Sequence, residues 1–189
     1  MAVYGLQNSH LEEMRHQFYV NVFGAVAVAK IFLPRFRKRR CGFIASVISM
    51  GGLITMPGIA YYCGSKFALQ GISEVMRVEM TPFGAHVISL CLGSFRTNWG
   101  ERSWVRTGRS IEDYDTLFDP TWAVRHKKNS RQLGNPTKLA AAVFEPIASD
   151  MPPPQLLLGS DVLQRVRDCL SRLEKGIADW EELTRSTDV

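Results

Sequence analysis

Two rhythms of apolar residues alternate along the chain. Leu11, Met14, Phe18, Val22, Val26, Ala29 and Leu33 recur every three or four positions, the period of one helix face, and Pro34 is expected to end that helix. Ser9-His10-Leu11-Glu12 has the spacing of a capping box at its start. After Gly42 the run Phe43-Ile44-Ala45-Ser46-Val47-Ile48 is short, apolar and β-branched. It gives way to Met50-Gly51-Gly52, as a buried parallel strand does on entering a loop. Helical spacing returns from Tyr61 to Met80, with Phe67, Ile72, Val75, Met76 and Met80 expected inward and Pro82 just beyond. Ala85 to Leu92 reads as a second buried strand closed by Gly93.

Ser94 to Gly134 has no sustained periodicity, and a loop of this length inside a compact domain is usually a lid or a binding loop, or is disordered. Asn135-Pro136 sets a cap residue before a proline at the first helical position, opening a helix through Lys138 to Phe144 that Pro146 should kink or end. Past Pro152-Pro153-Pro154, Gln155-Leu156-Leu157-Leu158 is a third short strand. Ser160 begins a last helix with Leu163, Val166, Leu170 and Leu173 on one face. Strands alternating with helices long enough to be crossovers predict an α/β domain, a parallel sheet with helices on its faces. No internal repeat and no linker divides the chain.

Composition narrows the class. With 189 residues and 46% hydrophobic content the chain can fill one core but hardly two. A net charge of +5 is too mild to indicate a nucleic-acid partner, and the basic segment Phe36 to Arg40 reads as solvated charge at a helix C-terminus. Cys41, Cys63, Cys91 and Cys169 form no CxxC pair. They read as reduced cysteines, and with no export signal at Met1 a cytoplasmic location is expected. The most apolar stretch, Val20 to Leu33, contains Asn21 and Lys30 and falls short of the ~20 apolar residues that span a bilayer. His10, His16, His86 and His126 are scattered, so no metal site is expected.

Candidate chemistry centres on Tyr62-Cys63-Gly64-Ser65-Lys66, where a phenol and an ammonium four residues apart share a helix face. A phenol with a reference pKa of ~10 is a poor base at neutral pH, and a neighbouring cation supplies part of the stabilisation its phenolate needs. Ser49 stands where the first strand runs out, the edge at which open parallel sheets bind ligands. Asn21 interrupts the apolar face of the first helix, and a buried amide needs partners. Singly, each has a plainer reading: a solvated Tyr–Lys pair, a turn-forming serine, a structural asparagine. Their occurrence together, in this order, favours a catalytic set.

In these residues the sequence resembles the short-chain dehydrogenase/reductase family, NAD(P)-dependent oxidoreductases on a Rossmann fold. The match runs through Asn21-Val22-Phe23-Gly24, Gly42 to Ser49, Tyr62-x-x-x-Lys66 and Leu92-Gly93-Ser94-Phe95-Arg96-Thr97. It continues through Gly134-Asn135-Pro136 and Leu158-Gly159-Ser160-Asp161. The resemblance implies interconversion of an alcohol and a ketone or aldehyde by hydride transfer with NAD or NADP. Tyr62 would exchange the proton, Ser49 would orient the substrate oxygen, and Lys66 would lower the tyrosine pKa and hold the nicotinamide ribose. Asn21 would support a water that relays protons through Lys66. Gly93 and Thr97 match a segment on the nicotinamide side of the cofactor, residues 94–134 match the substrate-binding loop, and Tyr61 is a decoy. The helices matching Leu11–Leu33 and Tyr61–Met80 commonly build a four-helix dimer contact in the family, so a homo-oligomer is an expected partner.

The sequence departs from the family pattern in one large respect. No T-G-x-x-x-G-x-G turn occurs, although the family uses that turn and the following helix N-terminus to receive the pyrophosphate. Met1-Ala2-Val3-Tyr4-Gly5 aligns with the end of the family's fourth strand. The chain therefore reads as a single truncated domain over 1–189, the C-terminal half of a doubly wound sheet. Smaller departures are Leu92, where the family usually has proline, and Asn98, at a position often acidic. The alternative reading is a catalytically inactive truncated fragment or isoform, acting at most as a dimerisation partner. The aromatic residues Trp99, Trp104, Tyr114, Phe118 and Trp122 suit a hydrophobic alcohol or carbonyl substrate, though aromatics in a long loop often only pin it down.

Overall fold

The three apolar runs form three strands. In the computed structural model, which describes residues 6, 10–97, 111–120 and 131–188, Gly42–Val47, Ala85–Leu92 and Gln155–Leu158 are β1, β2 and β3. All pair in parallel in the order β1-β2-β3. Gly42 stands opposite Ala85 and Val47 opposite Leu90, while β3 joins later, with Gln155 opposite Ser89 and Leu158 opposite Leu92. The central strand β2 buries Ala85, Val87, Ile88, Leu90 and Cys91, as expected where both faces of a parallel sheet are covered. Ile48 lies just past β1, but its N–H still bonds the Leu90 carbonyl at 2.9 Å.

The N-terminal helix departs from its sequence pattern in three ways. Its cap sits one residue later than the Ser9–Glu12 box, with the Glu13 carboxylate accepting the His10 backbone N–H at 2.9 Å; Ser9 is outside the described residues. Its course is α1 (Leu11–Phe18), a π-helical turn at Tyr19–Gly24 and α2 (Ala25–Arg39) rather than one regular helix. And it does not stop near Pro34. Proline removes one N–H donor, but Pro34 and Lys30 are both exposed, so water can satisfy the carbonyl left over. Beyond Pro34, Phe36 packs with Leu33 on the cluster of Ala29, Met76, Met80, Ala85 and Val87. A Cβ on Gly42 would run into the Phe36 ring. Burial of Phe36 therefore draws the helix on to Arg40, whose left-handed backbone (φ 55°) ends it. The helical stretch Leu11–Arg39 contains a window of mean hydropathy 1.4, long and apolar enough by composition to cross a bilayer, which the shorter Val20–Leu33 stretch is not.

The second helix, α3 (Ala60–Met80), buries Leu69, Met76 and Met80 as an amphipathic helix should. A hydroxyl pair at 2.8 Å, Ser73 to Ser46, ties it to β1. Phe67 and Val75, expected inward, point outward instead. They share with Val78 an apolar stripe on the exposed side.

Asn135 caps α4 (Pro136–Ile147) as expected, its side-chain oxygen accepting the N–H groups of Thr137 and Lys138 at 2.9 and 3.3 Å. The helix after β3, α5 (Ser160–Asp179), turns a different face inward from the one its leucines suggest. Val162 and Val166 are buried with Met50 and Ile54, and Cys169 packs against them, whereas Leu163, Leu170 and Leu173 are exposed. The leucine spacing is regular, yet the shorter valines fit against the turn after β1. A short α6 (Glu181–Arg185) follows.

The corrected inward face predicts unequal costs. Val166→Ala should lower unfolding free energy by about 1–3 kcal/mol in a urea melt, whereas Leu170→Ala should change it by less than about 0.5 kcal/mol.

Candidate active site

Ser49 occupies the first turn after β1 with φ 75° and ψ 161°, a backbone region that is essentially glycine's own and that costs a side-chain-bearing residue about 1–3 kcal/mol. Its hydroxyl accepts the Gly51 N–H at 3.4 Å within the turn. Two glycines follow because α3 leaves no space for side chains. A Cβ on Gly51 would stand 2.9 Å from the Tyr62 ring, and one on Gly52 would stand 2.9 Å from the Lys66 carbonyl and collide with Ile48. The first turns of α3 thus rest directly on the Met50–Gly52 turn, and Tyr62 and Ser49 share a side-chain hydrogen bond.

Lys66 lies one helical turn beyond Tyr62. Its ammonium donates to the Val47 carbonyl at 2.8 Å, at the last residue of β1, and stands 5.9 Å from the centre of the Tyr62 ring. Burial dominates the electrostatics of both groups. It pushes the Tyr62 phenol above its ordinary value, with the Ser49 hydrogen bond pulling the other way and the nearby Cys63 adding to the rise, and it lowers the Lys66 ammonium. The resemblance implies that Lys66 lowers the tyrosine pKa; in this structure the ammonium is turned to a carbonyl and desolvation wins.

Asn21 sits in the π-helical turn, a feature found preferentially at functional sites. Its amide donates to the Ser65 hydroxyl at 2.9 Å, and Ser65, fully buried, donates in turn to the Tyr62 carbonyl at 2.8 Å. The N-terminal helix is thereby fastened to the stretch of α3 that carries Tyr62 and Lys66. Tyr61 is buried on α3 but stands outside these bonds.

At the end of β2, Gly93 donates to the Leu158 carbonyl at 2.9 Å. The next residues form a neck: Gly134 donates to the Ser94 carbonyl and Arg96 to the Gly134 carbonyl, both at 3.1 Å, around a parallel bridge between Phe95 and Gly134. Thr97 is exposed just beyond. The two ends of the 94–134 segment therefore meet. Within it Trp99, Trp104, Trp122 and Asn98 lie outside the described residues, but residues 112–120 form helical turns in which the Tyr114 and Phe118 rings meet at a tilt, their centres 5.7 Å apart. With Leu117, Leu6, Pro57 and Gly58 they line a cleft of about 500 Å³. Pro57 and Gly58 lie between Met56 and Ile59, which pack on Tyr62.

Residues 3–106, more than half of the chain, match the family model for short chain dehydrogenase. The chain belongs to that family. Among relatives of this short-chain dehydrogenase, the 3-ketodihydrosphingosine reductase of Bacteroides thetaiotaomicron is 35% identical over 144 residues, 75% of this chain and 53% of that protein. A short-chain dehydrogenase structure from Streptomyces avermitilis superposes with a TM-score of 0.89 at 28% identity, covering all of this chain and 68% of that one. Another, from Burkholderia cenocepacia in complex with NADP, shares the fold at a TM-score of 0.66 and 18% identity, over 94% of this chain and 66% of that one. The chain spans about half to two thirds of the length of the curated relatives it matches.

Structure thus brings Ser49, Tyr62 and Lys66 together, connects Asn21 to them through Ser65, and puts Gly93 and Thr97 on the neighbouring strand end. Ser65 escapes the sequence reading because a serine between two candidate residues carries no periodic signal. Asp161 stands in the matched stretch Leu158 to Asp161 but has no role there; in the structure its carboxylate accepts the Ser94 N–H at 2.9 Å. Among the described residues, no group of three His, Cys, Asp or Glu is placed to hold a metal ion.

Two outcomes test this geometry. Ser49→Gly removes the backbone strain and should be more stable than Ser49→Ala, which keeps it, by about 1–2 kcal/mol in urea melts. A raised Tyr62 pKa means that the folded chain holds a proton which the unfolded chain has released. Stability should then be complete below pH ~10 and fall as pH rises towards the folded value. Tyr62→Phe should remove that part of the alkaline loss when urea midpoints are compared from pH 9 to 11.

Proposed function

We propose that this short-chain dehydrogenase interconverts an alcohol and a ketone or aldehyde using NAD or NADP, with Tyr62 as the proton-exchanging residue. The observation that carries the reading is the Ser49–Tyr62 hydrogen bond beside Lys66, at the strand end where parallel sheets bind ligands. When bound, the nicotinamide ring supplies or takes the hydride. The residues present fit its nicotinamide side: a partly buried ammonium on a flexible stem at Lys66, a two-hydroxyl pair, and the strand-end backbone at Gly93 with Thr97 beyond. Lys66, whose ammonium donates to the Val47 carbonyl in this structure, would hold the ribose hydroxyls, and Gly93 and Thr97 would line the nicotinamide side.

Ser49 donates to the substrate oxygen and orients it. Tyr62 holds the proton at its hydroxyl and delivers it as that oxygen gains negative charge. The raised phenol pKa keeps Tyr62 protonated in the resting protein, the state required for carbonyl reduction. The reverse direction needs a phenolate, and an ammonium brought beside the hydroxyl would favour it. Asn21 secures α3 through Ser65 and supports a water that passes protons through Lys66. The 94–134 segment is the substrate-binding loop, and the apolar cleft between Pro57 and Phe118 suits a hydrophobic alcohol or ketone. The free cysteines agree with a reducing, cytoplasmic setting.

The alternative reading, a silent chain that pairs with another copy of the fold, draws on the exposed apolar residues Phe23, Val28 and Ile31 of the N-terminal helix and Phe67, Val75 and Val78 of α3. Pairing of two copies through these helices is compatible with either reading, and light scattering after gel filtration measures it.

Fluorescence titration with NADH and NADPH, followed by turnover assays on hydrophobic ketones and secondary alcohols, separates the readings. Tyr62→Phe should lower kcat by about 100-fold or more with little change in cofactor affinity. A folded wild-type chain that neither binds cofactor nor turns over any of these compounds overturns the proposal.

A further inference from the structure

We infer that Asp161 is a positioning residue, the anchor that holds the Gly93–Thr97 segment and the neck of the 94–134 loop in place; its effect on cofactor binding rests on the function proposed above. Asp161 is the second residue of α5, where the helix dipole favours a carboxylate. Its Oδ2 accepts the Ser94 backbone N–H at 2.9 Å, across 67 positions of sequence. The carboxylate is wedged between two glycines. A Cβ on Gly93 would collide with it, and one on Gly159, whose φ is 117°, would stand 2.9 Å from Oδ1. Gly159 itself lies close enough that its Cβ would stand 3.5 Å from the Gly93 Cα. The ends of β2 and β3 thus close on one acidic side chain. Gly93, matched by resemblance to the nicotinamide side, lacks a side chain here because Asp161 fills the space.

Ser94 is the point at which this anchor acts. Its N–H goes to Asp161 and its carbonyl accepts from Gly134, so this one residue connects α5 to both ends of the loop. The neck and Asp161 both border a cavity of about 230 Å³, lined in part by Phe95, Leu139 and Leu158, so close packing does not hold the neck there. With the carboxylate removed, the Ser94 N–H loses a charge-assisted bond, and the segment that faces the cofactor is free to shift.

Hydrogen–deuterium exchange read by mass spectrometry on the full chain tests the anchor directly. Asp161→Ala should speed exchange at the Ser94 amide about tenfold or more and quicken the Gly134 amide. Asp161→Asn, which keeps an acceptor oxygen, should restore most of the protection; comparing it with wild type also decides the case if Asp161→Ala does not fold. In a wild-type chain that binds NADH or NADPH, Asp161→Ala should raise the cofactor Kd and KM about tenfold while kcat at saturation changes less than about threefold. Unchanged exchange overturns the inference, as does faster exchange with unchanged Kd. A wild-type chain that binds neither cofactor overturns the proposed function, and the exchange result then decides alone whether Asp161 anchors the segment.

Discussion

The arrangement depends on one close approach. Helix α3 rests on the Met50–Gly52 turn without intervening side chains, and that contact lets a phenol on the helix meet a hydroxyl at the strand end. Its cost is local and visible: Ser49 takes a conformation that suits glycine, yet carries a side chain. Such strain persists only where surrounding structure imposes it. Here the imposing structure includes the ladder between β1 and β2 and the Ser73–Ser46 hydroxyl pair that holds α3 against β1.

A chain of polar contacts extends this geometry outward. From Tyr62 it passes to Ser65 and Asn21 on one side, and from Lys66 to the end of β1 on the other. These are mostly buried groups that satisfy one another, so removing any of them leaves a partner unpaired at a cost larger than the net worth of the bond. The π-helical turn belongs to the same account, since it carries Asn21 on an otherwise apolar helix.

The strands and most helices were legible because their patterns are local: β-branched runs for β1 and β2, a cap residue before proline for α4. Errors arose where long-range packing outweighs local pattern. Pro34 looked like an end, but burial of Phe36 continues the helix; Leu170 and Leu173 formed a regular stripe, but Val162 and Val166 meet the core. Tyr62, Lys66, Ser49 and Asn21 could be marked from spacing and resemblance. The Asp161–Ser94 contact could not, because neither residue type nor spacing hints that positions so far apart touch. The electrostatic balance at Tyr62 also eludes sequence, since it turns on how deeply the phenol is buried.

The closed neck between Phe95 and Gly134 separates the long segment from the rest mechanically. Because entry and exit lie side by side, a change in the number of residues between them need not alter the separation of β2 from α4, so the sheet register and the Ser49–Tyr62 pair are insulated from insertions and deletions there.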